Sequence, residues 1–335
     1  SHGFASWPKF AAHVESLERA TSNVSAFESA VDAIVAGDAD ALARLLRDNP
    51  GLVRAQSTRE HHATLLIYTS ANGVEGYRQK SPGNAAAIAT MLLDAGADVE
   101  ATAAVYGSEC TTLGLVATST PPGIAGVQIP VIDVLLAHGA RMDRDGLAGH
   151  DSSLVRACLA NGQPAAAEHL VARGAPLDLM GAAGLGRVDA LAPFFVDGAA
   201  ATSEQLADAF ALACAYGRTR AVEFLLDRGF DVDTITRGHG EGSTGLHIAA
   251  YHGHDDLVSL LIARRANVNL IDKTWKTPPL WWVLTGWARK DAEPEGCYQV
   301  VARLVRAGAV VAPDVLGWDT VKHDPRMLAA LQGKA

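Results

Sequence analysis

Residues 243–271 read STGLHIAAYHGHDDLVSLLIARRANVNLI. Thr244 is a helix-capping residue ahead of a short apolar run, Gly253 interrupts that run, and a second run ends at Leu261-Ile262 before Arg265-Ala266. Two short helices and a turn of this size cannot bury their apolar side alone. Copies must therefore stack, each touching only its neighbours.

Weaker copies do recur, and the end of each second helix shows them best. Leu45-Leu46 leads to Asn49-Pro50, Leu92-Leu93 to Gly96-Ala97, Leu135-Leu136 to Gly139-Ala140, and a degenerate His169-Leu170 to Gly174-Ala175. Phe194-Phe195 then leads to Gly198-Ala199, Leu225-Leu226 to Gly229-Phe230, Leu261-Ile262 to Arg265-Ala266, and Leu304-Val305 to Gly308-Ala309. Eight units result. The glycine supplies the positive φ that ends a helix, so Arg265 in that slot predicts a local cost of about 1 kcal/mol.

First helices carry their own mark, a capping residue followed by small or apolar residues: Thr64-Leu65-Leu66, Thr111-Thr112-Leu113, Ser152-Ser153-Leu154, Thr244-Gly245-Leu246-His247 and Pro278-Pro279-Leu280. These marks resemble the Thr-Pro-Leu-His start of the ankyrin-repeat family, and the resemblance covers roughly residues 25–312. Only His247 occupies the histidine slot; Ile67, Gly114, Val155 and Trp281 hold it elsewhere. The resemblance implies an all-α ankyrin-repeat solenoid of about eight helix-turn-helix repeats with N- and C-terminal capping helices. It implies an arm and cap over residues 1–24, one continuous repeat domain over 25–312 and a C-terminal cap over 313–335. Known members mostly bind other proteins through the concave side, made of turn tips and first helices. A bacterial subset with long intra-repeat insertions resembles this chain more closely, with no settled activity attached.

The caps have their own signals. Residues 8–17 (PKFAAHVESL) form an amphipathic pattern with Phe10, Val14 and Leu17 on one side, and residues 324–331 (DPRMLAAL) open on an Asp-Pro helix start.

Spacing adds information. Gly96 to Gly139 and Arg265 to Gly308 are each 43 residues apart, against about 33 for an ordinary repeat. The extra residues fall between the helices of a unit, at 74–83, 121–130 and 286–296, and their Pro and Gly content predicts loops. Such loops are either tolerated surface insertions or an added wall around a ligand. Gly174 to Gly198 is only 24 residues, which predicts a unit with almost no turn finger and a concave face divided into two lobes.

Composition narrows the function. An apolar content of 49 % with 19 % charged residues reads as packed helices rather than disorder. No apolar run reaches the roughly 18 residues of a membrane span, and the start SHGFASWPKF lacks the basic and apolar regions of a signal peptide. A cytoplasmic location is the expectation. Cys110, Cys158, Cys214 and Cys297 lie in four different repeats without paired spacing, as free thiols would, with Cys158 and Cys214 in core slots. A net charge of −9 without basic clusters speaks against nucleic acid and favours a neutral, cationic or aromatic ligand or a protein partner.

Finger tips and first-helix ends supply the candidate site residues. Glu60, His61 and His62 fall in one finger, Tyr106, Ser108, Glu109 and Cys110 in the next, and His150 with Asp151 in the third. His239, Glu241 and Ser243 follow, then Thr274, Trp275 and Lys276, with Asn72, Thr118, Tyr251 and His252 at helix ends. Units stack at about 10 Å, so long side chains of adjacent fingers converge.

Each residue has a plainer reading beside the functional one. His61 and His62 are consecutive and point to opposite sides, and no His-x3-His pair accompanies them, so neither a metal nor a cofactor is expected. Asp151 reads first as a helix cap, His247 as a structural histidine and His254 as a turn residue. Trp275, Trp281, Trp282 and Trp287 fall within thirteen residues; Trp282 is expected in the core and Trp275 exposed, and such a cluster is a recognition hot spot or a stacking wall.

Two functions follow. One is a binding protein that presents its concave face to a protein partner, through His61, His62, Tyr106, His150, His239, Glu241, Tyr251, His252, Trp275 and Trp281. The other is a small-molecule enzyme or binder with metal-free acid/base chemistry, for which His62, Tyr106, Cys110, His150 and Asp151 are the catalytic candidates. Neither reading involves a membrane.

Overall fold

The computed structural model describes residues 4, 6–18, 23–142, 153–196, 201–236, 240 and 242–334. They fall into two compact units, Ser1–Pro176 and Leu177–Ala335. The expected marks at His150 and Asp151, Gly198, His239 and Glu241 lie outside the described residues.

In the first unit, α1 (Trp7–Glu18) precedes the pair α2 (Asn23–Ala36) and α3 (Ala39–Asp48). Next come α4 (Leu65–Tyr68) with α5 (Ala85–Asp94), a hairpin β1 (Thr102–Val105) and β2 (Ser108–Thr111), and α6 (Thr112–Ala117), α7 (Thr120–Ile124) and α8 (Gln128–Ala137). The pair α9 (Leu154–Ala160) and α10 (Pro164–Ala172) completes it. First helices pack in the order α2, α4, α6, α9, and second helices α5, α8, α10.

The second unit repeats the plan with α11 (Leu179–Leu185) and α12 (Val188–Leu191), α13 (Ser203–Ala215) and α14 (Thr219–Leu226), α15 (Gly245–Tyr251) and α16 (Asp255–Ala263), and α17 (Pro279–Arg289) and α18 (Pro294–Arg306). Helices α19 (Asp319–Lys322) and α20 (Pro325–Ala330) close it. Here α11, α13, α15 and α17 stack on one another, as do α12, α14, α16 and α18. Among the described residues the two units thus hold eight pairs, and Leu92, Leu135, Leu170, Leu225, Leu261 and Leu304 of the second helices are fully buried.

Helix ends follow the sequence marks. Thr111, Ser153 and Thr202 accept backbone N–H bonds at the starts of α6, α9 and α13. At α15, Thr244 and His247 form a reciprocal capping box, and the other nitrogen of the His247 ring lies 3.2 Å from the Thr277 carbonyl. The stop glycines Gly96, Gly139, Gly174, Gly229 and Gly308 have φ between +86° and +97°, and Arg265 takes the same left-handed turn at +67°.

Four features differ from the sequence expectation. Helix α1 buries His13 and half-buries Phe10, but Val14 is exposed. The reason is a partner: His13 Nδ1 lies 3.0 Å from Thr58 Oγ1 of the first finger, so the helix faces that finger with its polar side. One finger is a β-hairpin, because Tyr106 and Gly107 both take positive φ, the geometry of a two-residue turn that joins antiparallel strands.

The insertion at 121–130 is helical rather than a loop, since α7 and the start of α8 occupy most of it. That at 286–296 chiefly lengthens α17 and α18 and leaves only four residues between them. Its glycines serve close packing: a Cβ on Gly286 would sit 2.1 Å from the Tyr251 carbonyl oxygen, and one on Gly296 2.3 Å from that of Gly253. Only 74–83 is mostly irregular, around a single turn at 76–78.

At the other end, Asp324 caps α20 by accepting from the Arg326 and Met327 backbones, and the Tyr298 hydroxyl donates to the same carboxylate, so the expected Asp-Pro start does close the last pair.

Candidate binding surfaces

The first-unit finger, residues 57–63, is held by Ser57 N–H donating to the Ala63 carbonyl and by His62 in a left-handed turn. As consecutive positions require, His61 is buried and His62 exposed. His61 Nδ1 accepts from Ala63 N–H at 3.0 Å, which leaves its Nε2 facing Glu75 Oε1 at 3.6 Å.

Glu75 belongs to the insertion at 74–83 and enters a buried charge cluster absent from the sequence reading. Arg59 pairs with both Glu28 and Glu75, while Arg78 reaches Glu28 Oε2 and Asp32 Oδ1, each at 2.6 Å. Burial alone would raise the Glu75 pKa; the His61 ring, its own backbone N–H, Arg59 and Arg78 outweigh that and bring it down to about 2. Burial beside Glu75 raises the Tyr68 hydroxyl instead. A carboxylate so firmly ionised is a clamp rather than a proton carrier near neutral pH. One signal was legible: Glu28 sits among Phe27, Ala30, Val31 and Ile34 on the buried side of α2, where an unpaired charge is untenable.

The same unit gathers a polar-aromatic patch from adjacent repeats, as the stacking distance predicts. The Tyr106 hydroxyl donates to Asn72 Oδ1 at 2.6 Å, and Asn72 Nδ2 donates to the Leu115 carbonyl and lies 3.4 Å from Thr118 Oγ1. Tyr106 nonetheless remains 64 % exposed at its hairpin tip. Cys110 is a correction. Its side chain is buried beneath β2, 3.7 Å from the Val105 carbonyl, and burial followed by the Glu109 charge raises its thiol pKa, so it is no accessible nucleophile. Cys158, Cys214 and Cys297 are buried free thiols.

In the second unit the finger at 272–277 is organised by one carboxylate. Asp272, 1 % exposed, accepts from the backbone N–H groups of Thr274, Trp275 and Thr277, from the Thr277 hydroxyl and from the Trp282 indole, at 2.5–3.3 Å. Burial would raise its pKa, and these donors instead bring it down to about 2. Trp275, 60 % exposed, rests against Trp282 with ring centres 4.7 Å apart, and Tyr251 meets the Trp282 edge at 6.1 Å. Trp282 is core and Trp275 is exposed, as read from the sequence. Trp281 is half-buried against Trp318 of the closing segment.

His252 lies elsewhere, stacked on His254 at 5.7 Å along a cleft of about 670 Å³ with Trp287, Lys290, Asp291 and Glu293 in its lining. Tyr251 donates to Asp291 at the same edge. Burial lowers the His254 pKa, and its Nε2 lies 2.8 Å from the Ala215 carbonyl, a structural position. Cavities of about 510 Å³ beside Val53 and Gly96 and about 310 Å³ beside Phe195 and Phe230 accompany it. Among the described residues, no group of three His, Cys, Asp or Glu is placed to hold a metal, and no helix is long and apolar enough to cross a membrane.

Paired helices stacked in series, stopped by left-handed glycines and edged by fingers, define a repeat scaffold. A family model for ankyrin repeats in three copies matches residues 179–272. That stretch of the chain consists of ankyrin repeats. The chain is similar to the E3 ubiquitin-protein ligase hecd-1 of Caenorhabditis elegans, 43 % identical over 65 residues, or 19 % of this chain and 2 % of that protein. It is also similar to the mouse (Mus musculus) serine/threonine-protein kinase TNNI3K, 47 % identical over 59 residues, or 17 % of this chain and 7 % of that one. The chain thus matches only a small fraction of the length of either relative. The crystal structure of the human ASB11 ankyrin repeat domain aligns over 84 % of this chain and 99 % of its own, with a TM-score of 0.42 and 20 % identity.

Proposed function

We propose that the protein is a binding module that engages a protein partner through its fingers and first-helix ends. Ankyrin repeats are generally protein–protein interaction modules, and the observation that carries the reading here is Trp275. A large indole is held in solvent on a finger whose backbone is fixed by Asp272. Rigid, exposed aromatics concentrate binding energy because little side-chain entropy is lost on contact. Tyr106 supplies a second exposed aromatic in the first unit, and His62, His252 and Trp281 extend the two surfaces.

Immobilised full-length chain tests the reading by differential capture. The partner should be retained by the wild type and by a Glu223→Ala control on the second-helix side, and released by Trp275→Ala or Tyr106→Ala. Retention by the finger variants with loss on the control places the interface on the other side and ends the proposal.

The cleft beside His252 and Trp287 favours a second reading, a small-molecule site. A ligand present at about a hundred times its dissociation constant adds about 2.7 kcal/mol to stability, so a metabolite thermal-shift screen should find one whose effect His252→Ala removes. A screen without such a compound leaves the protein-binding reading alone.

A further inference from the structure

The finger at 272–277 is unusual for its charge as well as for its tryptophan. The chain carries a net charge of −9, yet the finger itself (DKTWKT, residues 272–277) contains Lys273 and Lys276 against a single carboxylate, Asp272. That carboxylate is buried and taken up by donors from its own finger and from Trp282. The finger therefore offers solvent no negative charge. Lys273 and Lys276 flank Trp275; both are exposed, and neither forms a salt bridge among the described residues. Lys276 also holds a positive φ of +58°, and Lys273 N–H donates to the Gly242 carbonyl of the preceding finger at 2.7 Å, so both backbones are fixed before any partner arrives. Nothing in the core requires two lysines here. The left-handed turn is shared with His62 and Tyr106 of other fingers and fixes the finger's shape; the two lysines set its sign.

We propose that this finger docks an acidic segment of a partner protein, with the Trp275 indole covering an apolar side chain and the Lys273 and Lys276 ammonium groups meeting carboxylates on either side of it. The inference rests on the protein-binding reading and adds the partner's chemistry to it. The indole gives contact area and the lysines give sign: they attract an acidic segment and reject a basic one, because like charges brought together at an interface oppose binding. Exposed pairs are screened by salt, so binding weakens as ionic strength rises.

A random-peptide phage library selected on the full-length protein tests this, with winning peptides synthesised and titrated against three proteins of equal melting temperature. Expected are peptides rich in Asp and Glu around an apolar residue, bound by the wild type and weakened about tenfold or more by Lys273→Glu/Lys276→Glu and by Trp275→Ala. Neutral or basic winners that Trp275→Ala still releases overturn the acidic partner and leave the finger as the binding site. Winners indifferent to both variants, or a library with no winners, overturn the inference and remove the finger from the interface.

Discussion

Both units fix a finger with a carboxylate whose pKa is brought down to about 2, and they do so by opposite means. Glu75 reaches across from an insertion to guanidinium groups of Arg59 and Arg78, which also hold Glu28. Asp272 folds back on its own finger and is satisfied by N–H and O–H donors two, three and five residues ahead, plus one indole. The first device joins three segments distant in sequence, α2, the finger and the insertion; the second is almost entirely local. A charge network shared among segments makes them interdependent, whereas a local turn orders only itself.

The sharpest way to break this comparison is to remove one member of each device. Arg78→Met leaves Glu28 without one of its two buried cations and is expected to cost about 3–5 kcal/mol in urea unfolding. Hydrogen exchange should rise at both 57–63 and α2. If only the insertion loosens, the three-segment coupling is wrong.

Asp272→Asn keeps the size of the side chain but turns one acceptor into a donor facing donors. The expected loss is about 1–3 kcal/mol. Its exchange footprint should stay within 272–277 and the start of α17, and a footprint as wide as that of Arg78→Met erases the distinction between the two devices.

Acid sharpens the comparison further. Both carboxylates have folded-state pKa values below those of unfolded Asp and Glu, about 3.9 and 4.3. Their stabilisation is therefore full above about pH 5 and is lost as pH falls through the folded values near 2. Five of the six tryptophans lie in the second unit, so indole fluorescence follows Asp272, and Asp272→Asn should flatten the transition in that window. An unchanged acid limb in the variant removes Asp272 from the account.

The smallest effect belongs to a local strain outside either device. Arg265→Gly relieves a left-handed φ of +67° and is expected to add about 1 kcal/mol at the end of α16. Measured loss instead of gain means the arginine side chain does more for the fold than its backbone costs.

Legibility in the sequence followed the range of the interactions. The Thr244 cap and the His247 slot lie within four residues, and the stop glycines act on their own φ, so both could be read directly. Trp275 exposed and Trp282 buried also followed from slot positions. The insertions at 121–130 and 286–296 are helical where their composition predicts loops because Pro and Gly are ambiguous: Pro121, Pro122 and Pro294 lie in first helical turns, and Gly286 and Gly296 let backbones approach. Cys110 was placed at a finger tip, but strand alternation in β2 turned it inward.

The chain by itself determined its units, their capped starts and their stops, because capping, left-handed turns and apolar periodicity act within a few residues. Only the tertiary structure decided which polar side chains are spent on the scaffold and which are left for a partner. Glu75 and Arg78 look like ordinary loop charges until α2 brings Glu28 to them, and Asp272 looks free until the Trp282 indole closes over it. Burial and pairing are properties of neighbours in space.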